Sequence, residues 1–536
     1  MIERLRRRIR GRAGAAAAAA HAASVLLAGV LAFPAAATPF RWTSDGDVAT
    51  IDPYGRNETF LLSFLANIYE PLARRDASLH LEPALAVSWE QTAPDVWRFH
   101  LRENVVFHDG SPFTADDVLF SLKRARHPVS RMQSKIARIV EARKVDDHTV
   151  DLVTDGPDPI LPDEICEWLI MSRSWAERNG TAEPADLSNG KESYASRNAN
   201  GTGPFMLKER QPDVRTVLVP NPHWWDKARH NLDEVTFLPI ANDATRVAAL
   251  ISGEIDMLYA VPPQDMQRLS KTPGLRILEA PELRVVFFGM DQRSEGDGAG
   301  GARNPFKDLR VRQALYQAID IEAIRTKVMR GSAVPVGNLV GRGVHGYDAE
   351  ADARFPYDPA AAKRLLAEAG YPNGFAFTMD CPNDRYVNDA AICQAVVAMF
   401  ARIGVRADLN LQTRNRHFGM LNQGKSRFYM LGWTPATYDA HNVILNVMMT
   451  PDGKGQGTVN YGGYSNPRID ALGRAIAVEN DPARRDAMIG EALMIHRAEF
   501  GHLPLHQQTI VWAVRDGVHV AQFGDNAFPL RLVRLD

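Results

Sequence analysis

The chain has 536 residues, of which 45% are hydrophobic and 24% charged. Beyond about 300 residues a chain normally divides, so two or three lobes are expected. The formal charge is −2; residues 1–37 hold six arginines and one glutamate, which leaves the remainder at −7. That dispersed, mild acidity excludes the basic footprint with which a nucleic-acid binder displaces counterions.

In chain order, Met1 to Arg12 is arginine-rich, Ser24 to Phe33 is apolar, and Ala35-Ala36-Ala37 precedes Thr38. A basic segment, an apolar segment and a small-residue cleavage site predict a secretory signal peptide over residues 1–37. The apolar core is far shorter than the roughly 20 residues of a bilayer-spanning helix. No cysteine stands near the cleavage site to be lipidated, so a soluble periplasmic protein is predicted. The consecutive arginines are a weak twin-arginine signal, and the export route stays open.

Phe40 to Val48 reads as extended, and Thr59 to Leu72 carries apolar residues at helical spacing. Val96 to Leu101 alternates with the strand period, and Thr114 is placed to cap a helix from Ala115. Val145 to Val153 reads as a hairpin, Thr181 to Asn200 as a polar surface loop, and Asp243 to Leu250 as a helix stopped at Ser252-Gly253. Composition shifts over Gly274 to Leu283, after which Val285 to Met290 reads as the first strand of a new core. Gly296 to Gly301 lacks the lysine and the strand–helix context of a phosphate loop. Helices are predicted over Leu309 to Val328, Pro359 to Gly370 and Ala390 to Phe400, with a strand at Val405 to Leu409. Strands alternating with helices predict a mixed α/β lobe.

The cysteines are Cys166, Cys381 and Cys393. An oxidising compartment permits a disulfide, with Cys381 and Cys393 the nearest pair; three buried free thiols are the alternative. Neither the cysteines nor the dispersed histidines have zinc-ligand spacing, and no hydrolase or phosphate-loop motif appears. No catalytic residue, metal site or cofactor is predicted, and the chain does not read as an enzyme.

Several segments share a pattern: Tyr69-Glu70-Pro71-Leu72, Leu81 to Trp89, Trp97 to Arg102 running into Phe107-His108-Asp109-Gly110, and Phe113 to Val118. Gly201 to Phe205, Asn221 to Trp225, Phe306 to Leu315, Leu365 to Tyr371 and Tyr464 to Pro467 continue it. This ordered set resembles the large peptide/nickel-type extracytoplasmic solute-binding proteins, which include dipeptide and oligopeptide receptors. The resemblance implies an α/β periplasmic binding fold of two lobes, the first with an extra subdomain. Carried over, the first lobe spans 38–283, the second 284–504, and a segment 505–536 returns to the first. It also implies delivery of a peptide or other small organic solute to the membrane subunits of an ABC importer. A non-peptide solute (opine-like, a sugar conjugate or a metal chelate) and an extracytoplasmic scaffold or chaperone-like role are the alternatives.

Met430 to His441 is the most informative stretch: an apolar strand followed by an aromatic, a proline turn and an acid. Such a loop favours ligand contact because a rigid sheet positions it. Peptide receptors resembling this chain place an aspartate three residues after the Trp, to pair with a free amino terminus. Here that position is Ala436, and an ammonium buried without a partner is costly. Asp439 stands as the substitute acid, and Arg414 as a bidentate contact for an acidic group. The predicted ligand-contact residues are Trp433, Thr434, Ala436, Tyr438, Asp439, Arg414, Asn57 and Arg56, the last two from a cleft-edge segment.

Overall fold

The computed structural model describes residues 38–536 except 188, 189 and 294–302. The predicted signal segment and the glycine-rich loop lie outside the described residues.

An eleven-stranded mixed sheet unites the chain. Its order is Arg406–Gln412, Ala376–Pro382, Phe428–Trp433, Leu275–Met290, Leu503–Arg515, Met257–Leu258, Pro39–Ser44, Glu234–Pro239, Arg215–Pro220 and Phe205–Gln211, with Ala333–Pro335 against Leu503–Arg515. Two strands, Leu275–Met290 and Leu503–Arg515, pair antiparallel and run from one half into the other. Their register holds from Leu275↔Arg515 to Pro281↔Thr509, shifts, and resumes at Val285↔Gln507. The compositional break near Gly274 to Leu283 is therefore a bulge inside one continuous strand, because pairing to the same neighbour continues on both sides.

The two-residue period of these strands builds the cores. Val286, Phe288 and Met290 join one cluster with Phe306, Phe377 and Phe428. Val285 and Phe287, on the opposite face, join another with Leu431, Ile444 and Ile489. The first half packs separately around Trp42, Phe64, Phe237, Trp512 and Phe528. A four-stranded sheet, Ala86–Ala93, Val96–Leu101, Thr149–Thr154 and Ile139–Asp146, forms the extra subdomain with helix Ala115–Ala125 beside it. At that helix start the Thr114 amide donates to Asp117 Oδ2 at 2.9 Å.

Two predicted helices are shorter than their apolar pattern. The first ends at Leu65. There Asn67 Nδ2 donates to the Ser63 and Phe64 carbonyls, and Glu70 is held by Thr202, Trp224 and Trp225. The buried side chains after Leu65 thus belong to a tied-down loop. The second stops at Ala318, and Asp320 restarts the chain by accepting from the Ala323 amide at 2.9 Å. Cys381 and Cys393 are joined in a disulfide, with Cα atoms 6.7 Å apart. Cys166 is free, and burial pushes its thiol up to about 12.

Candidate ligand cleft

The strand Phe428–Trp433 ends beside the crossing strand Leu275–Met290, with Trp433 opposite Val285. Gly432 is required there: a Cβ would meet Tyr386 Cε1 at 2.7 Å and Arg284 Cδ at 3.2 Å. Its amide donates to the Tyr386 hydroxyl at 2.8 Å. Arg284, Tyr386 and the backbone preceding Trp433 therefore converge. Trp433 is half-buried, and its Nε1 donates to Asn442 Oδ1 at 3.0 Å.

Beyond Trp433 the loop turns toward the first lobe. Ala436 is exposed, and Tyr438 adopts a left-handed backbone with φ of 60°. The Tyr438 hydroxyl donates to Asp525 Oδ2 at 2.9 Å, and the Arg75 guanidinium lies 3.9 Å from its ring centroid. Arg75 also donates to Asp163 at 2.7 Å and to the Thr437 carbonyl at 3.4 Å. Tyr438 is thus a point of contact between the lobes.

Asp439 does not stand free as a substitute anchor. Arg485 donates to its two oxygens at 2.7 and 2.8 Å, His345 Nδ1 contacts it at 2.7 Å, and its Oδ1 caps the His441 amide. Burial opposes the charge, but the hydrogen bonds from His345 and Arg485 and the Arg485 charge hold this carboxyl well below the usual range. The reason is steric as well as electrostatic: Asp439 is 2% exposed and its lone pairs are occupied.

A cationic group lies on the other side of Gly432. Arg284 pairs with Glu282 at 3.1 Å, and Gln508 Nε2 donates to the same carboxylate at 3.1 Å. The Arg385 guanidinium sits 5.2 Å from the Tyr386 ring centroid, and no residue among those described gives it a hydrogen bond or ion pair. Burial, and then the neighbouring Arg284 charge, lowers its pKa. Arg414 is exposed at the start of helix Arg414–Asn422, near enough to add to the positive field at Arg385. A cavity of about 130 Å³ opens beside the bulge, walled by Glu282 and Gln508, by Trp512 and Asn526 of the first lobe, and by Val387 and Asn388 of the second.

Arg56 and Asn57 stand apart from this group. Both are exposed; Arg56 faces Glu58 at 3.4 Å and Asn57 Nδ2 donates to Ser134 at 3.3 Å. Among the described residues neither bonds to the 433–439 loop. Sequence reading missed Glu282, Arg284, Arg385 and Tyr386. Their one signal was position, in the compositional break and in the loop after strand Ala376–Pro382.

Residues 80–455 match the family described as bacterial extracellular solute-binding proteins, family 5. The chain belongs to this family. The solute-binding protein is 27% identical over 464 residues to the dipeptide-binding protein of Escherichia coli (strain K12), covering 81% of this chain and 82% of that one. It is also 27% identical over 448 residues to heme-binding protein A of Haemophilus influenzae, covering 79% and 78%. Its fold is similar to the structure of HbpA2 from Haemophilus parasuis, with a TM-score of 0.80, 24% identity, and coverage of 93% and 100%. The two-lobed α/β periplasmic binding fold follows, as does the general role of binding a solute and delivering it to an ABC importer. The family is non-catalytic, so this solute-binding protein is not an enzyme.

Proposed function

We propose that the solute is a small organic molecule bearing a carboxylate or comparable anionic group, recognised by Arg385 between the lobes. The carrying observation is the Arg385 guanidinium, which lies over the ring of Tyr386 and has no protein partner among the described residues, while Tyr386 in turn is bonded to the Gly432 amide. A desolvated arginine offers a planar fork that matches a carboxylate in two hydrogen bonds. Arg284 and Arg414 add positive field, Tyr386 gives an aromatic face, and Ala436 offers no charge to an ammonium. Peptides, opine-like acids and sugar-conjugated acids all present such a group; a peptide is the reference case. Closure is a ligand-favoured population shift, with the lobes dividing at 283/284 and 504/505 and residues 1–37 removed on export.

The test compares Ala-Leu with Ala-Leu-amide, and the N-acetylated forms of each, by calorimetry on residues 38–536. The reading predicts saturable binding of the acids and at least a tenfold loss on amidation. Equal affinity of acid and amide would overturn it.

A further inference from the structure

Behind the Trp433 loop the lobes enclose a second, smaller cavity of about 100 Å³. The first lobe contributes Arg138, Asp158 and Glu164 to it, and the second contributes Thr437, His441 and Arg485. The bonding of these groups is lopsided. Arg485 grips Asp439 through one N–H of each terminal nitrogen, and Arg138 donates to Asp155 at 2.7 Å and to the Pro157 carbonyl at 3.1 Å. His441 Nε2 is 3.0 Å from the Gly473 carbonyl, and burial drops its pKa to about 4, so it brings no positive charge at neutral pH. Asn442 Oδ1 is taken by Trp433.

Two buried side-chain oxygens of the lining have no partner. Asp158 is 2% exposed; its Oδ1 accepts the Ile160 amide at 3.1 Å, while its Oδ2 is buried without a partner. Thr437 Oγ1 is also buried without a partner. Among the described residues nothing donates to the Glu164 carboxylate. Buried acceptors left unpaired are costly, and buried carboxylates more so. The cavity exceeds the roughly 30 Å³ that one water occupies in the liquid.

We propose that this cavity is a binding site for a small cation of the primary-ammonium class, held by Asp158 and Glu164 of one lobe and Thr437 of the other. An R–NH₃⁺ group carries three donors and no acceptor, which complements the unpaired Asp158 Oδ2, the Thr437 oxygen and the Glu164 carboxylate. Burial, reinforced by the Asp158 charge, pushes Glu164 up to about 8, so in the empty cavity it holds a proton that a cation displaces. Because its ligands come from both lobes, the site forms only when the lobes meet. It does not rest on the anionic contact at Arg385, and the two are read with different probes.

The experiment is calorimetric titration of residues 38–536 at pH 8.5 with methylammonium chloride, against tetramethylammonium chloride at equal ionic strength. Tetramethylammonium has no N–H to donate. The expected result is saturable binding of methylammonium alone, weakened at least tenfold in Glu164→Gln and in Asp158→Asn. Competition with Ala-Leu would assign the site to the solute's own amine, and independent binding to a free ion; each supports the site. Equal responses to the two salts, or undiminished methylammonium binding in either folded variant, would overturn it and leave a shared proton as the occupant. Should one variant fail to fold, the other decides, and the wild-type comparison of the two salts stands without either.

Discussion

Asp439 was legible as an acid in a ligand-side loop, but its partner was not, because Arg485 lies 46 residues on, within helix Pro482–Ala498. The pair is almost wholly buried, and removing one member strands the other charge. Arg485→Met is expected to cost about 3–5 kcal/mol of unfolding free energy in urea denaturation. Asp439 is held below its ordinary pKa, so its contribution is complete above about pH 4 and is lost as pH falls toward the depressed value. Glu164 runs the other way. Its folded pKa of about 8 lies above the ordinary value near 4.3, so the folded state binds the extra proton and stability falls as pH rises between the two. Thermal denaturation from pH 5 to 8.5 should show that decline in the wild type and a shallower one in Glu164→Gln. Identical slopes would remove Glu164 as the cause. Trp433 was picked out as an aromatic after a strand, whereas Arg385 was passed over because one arginine in a polar loop carries no periodic or motif signal.

Among elements, strands and helices with strong local signals were readable. Pro359–Glu368, ended before Gly370 at φ of 93°, and Asp243–Ser252, ended by Gly253 at φ of 83°, are instances. The overestimates at Thr59–Leu65 and Leu309–Ala318 share a cause: apolar spacing continued while polar side chains, Asn67 and Asp320, redirected the backbone. The disulfide has a consequence at this scale. It links strand Ala376–Pro382 to helix Asp389–Ala401, and the loop it closes carries Arg385 and Tyr386. A closed loop of this size contributes about 3 kcal/mol. Replacing both cysteines by serine is expected to lower stability by about 2–3 kcal/mol in chemical denaturation. The same change should weaken binding of acidic ligands by loosening the Arg385 loop, whereas unchanged affinity would mean that packing alone positions it.

For the whole molecule, the two-lobed plan was legible from the order of the matched segments, while the continuity of the crossing strands was not. A bulge at Glu282 to Arg284 looks in sequence like an interruption, and only pairing to Leu503–Arg515 reveals one strand. The contact of Tyr438 with Asp525, 87 positions on, and with Arg75, far earlier in the chain, left no local trace. Tyr438→Phe removes one interlobe hydrogen bond, worth about 1–2 kcal/mol. Small-angle scattering should then show a larger ligand-free radius of gyration, with compaction restored by saturating ligand. A radius unchanged from wild type would show that the bond does not hold the lobes together. The central claim, that an anionic group is read by Arg385 between the lobes, is tested most directly by calorimetry of Ala-Leu and Ala-Leu-amide on wild type and Arg385→Gln. The account predicts that the wild type prefers the acid at least tenfold and that Arg385→Gln loses this preference. Equal binding of acid and amide by the wild type, or an acid preference that survives in Arg385→Gln, would contradict it.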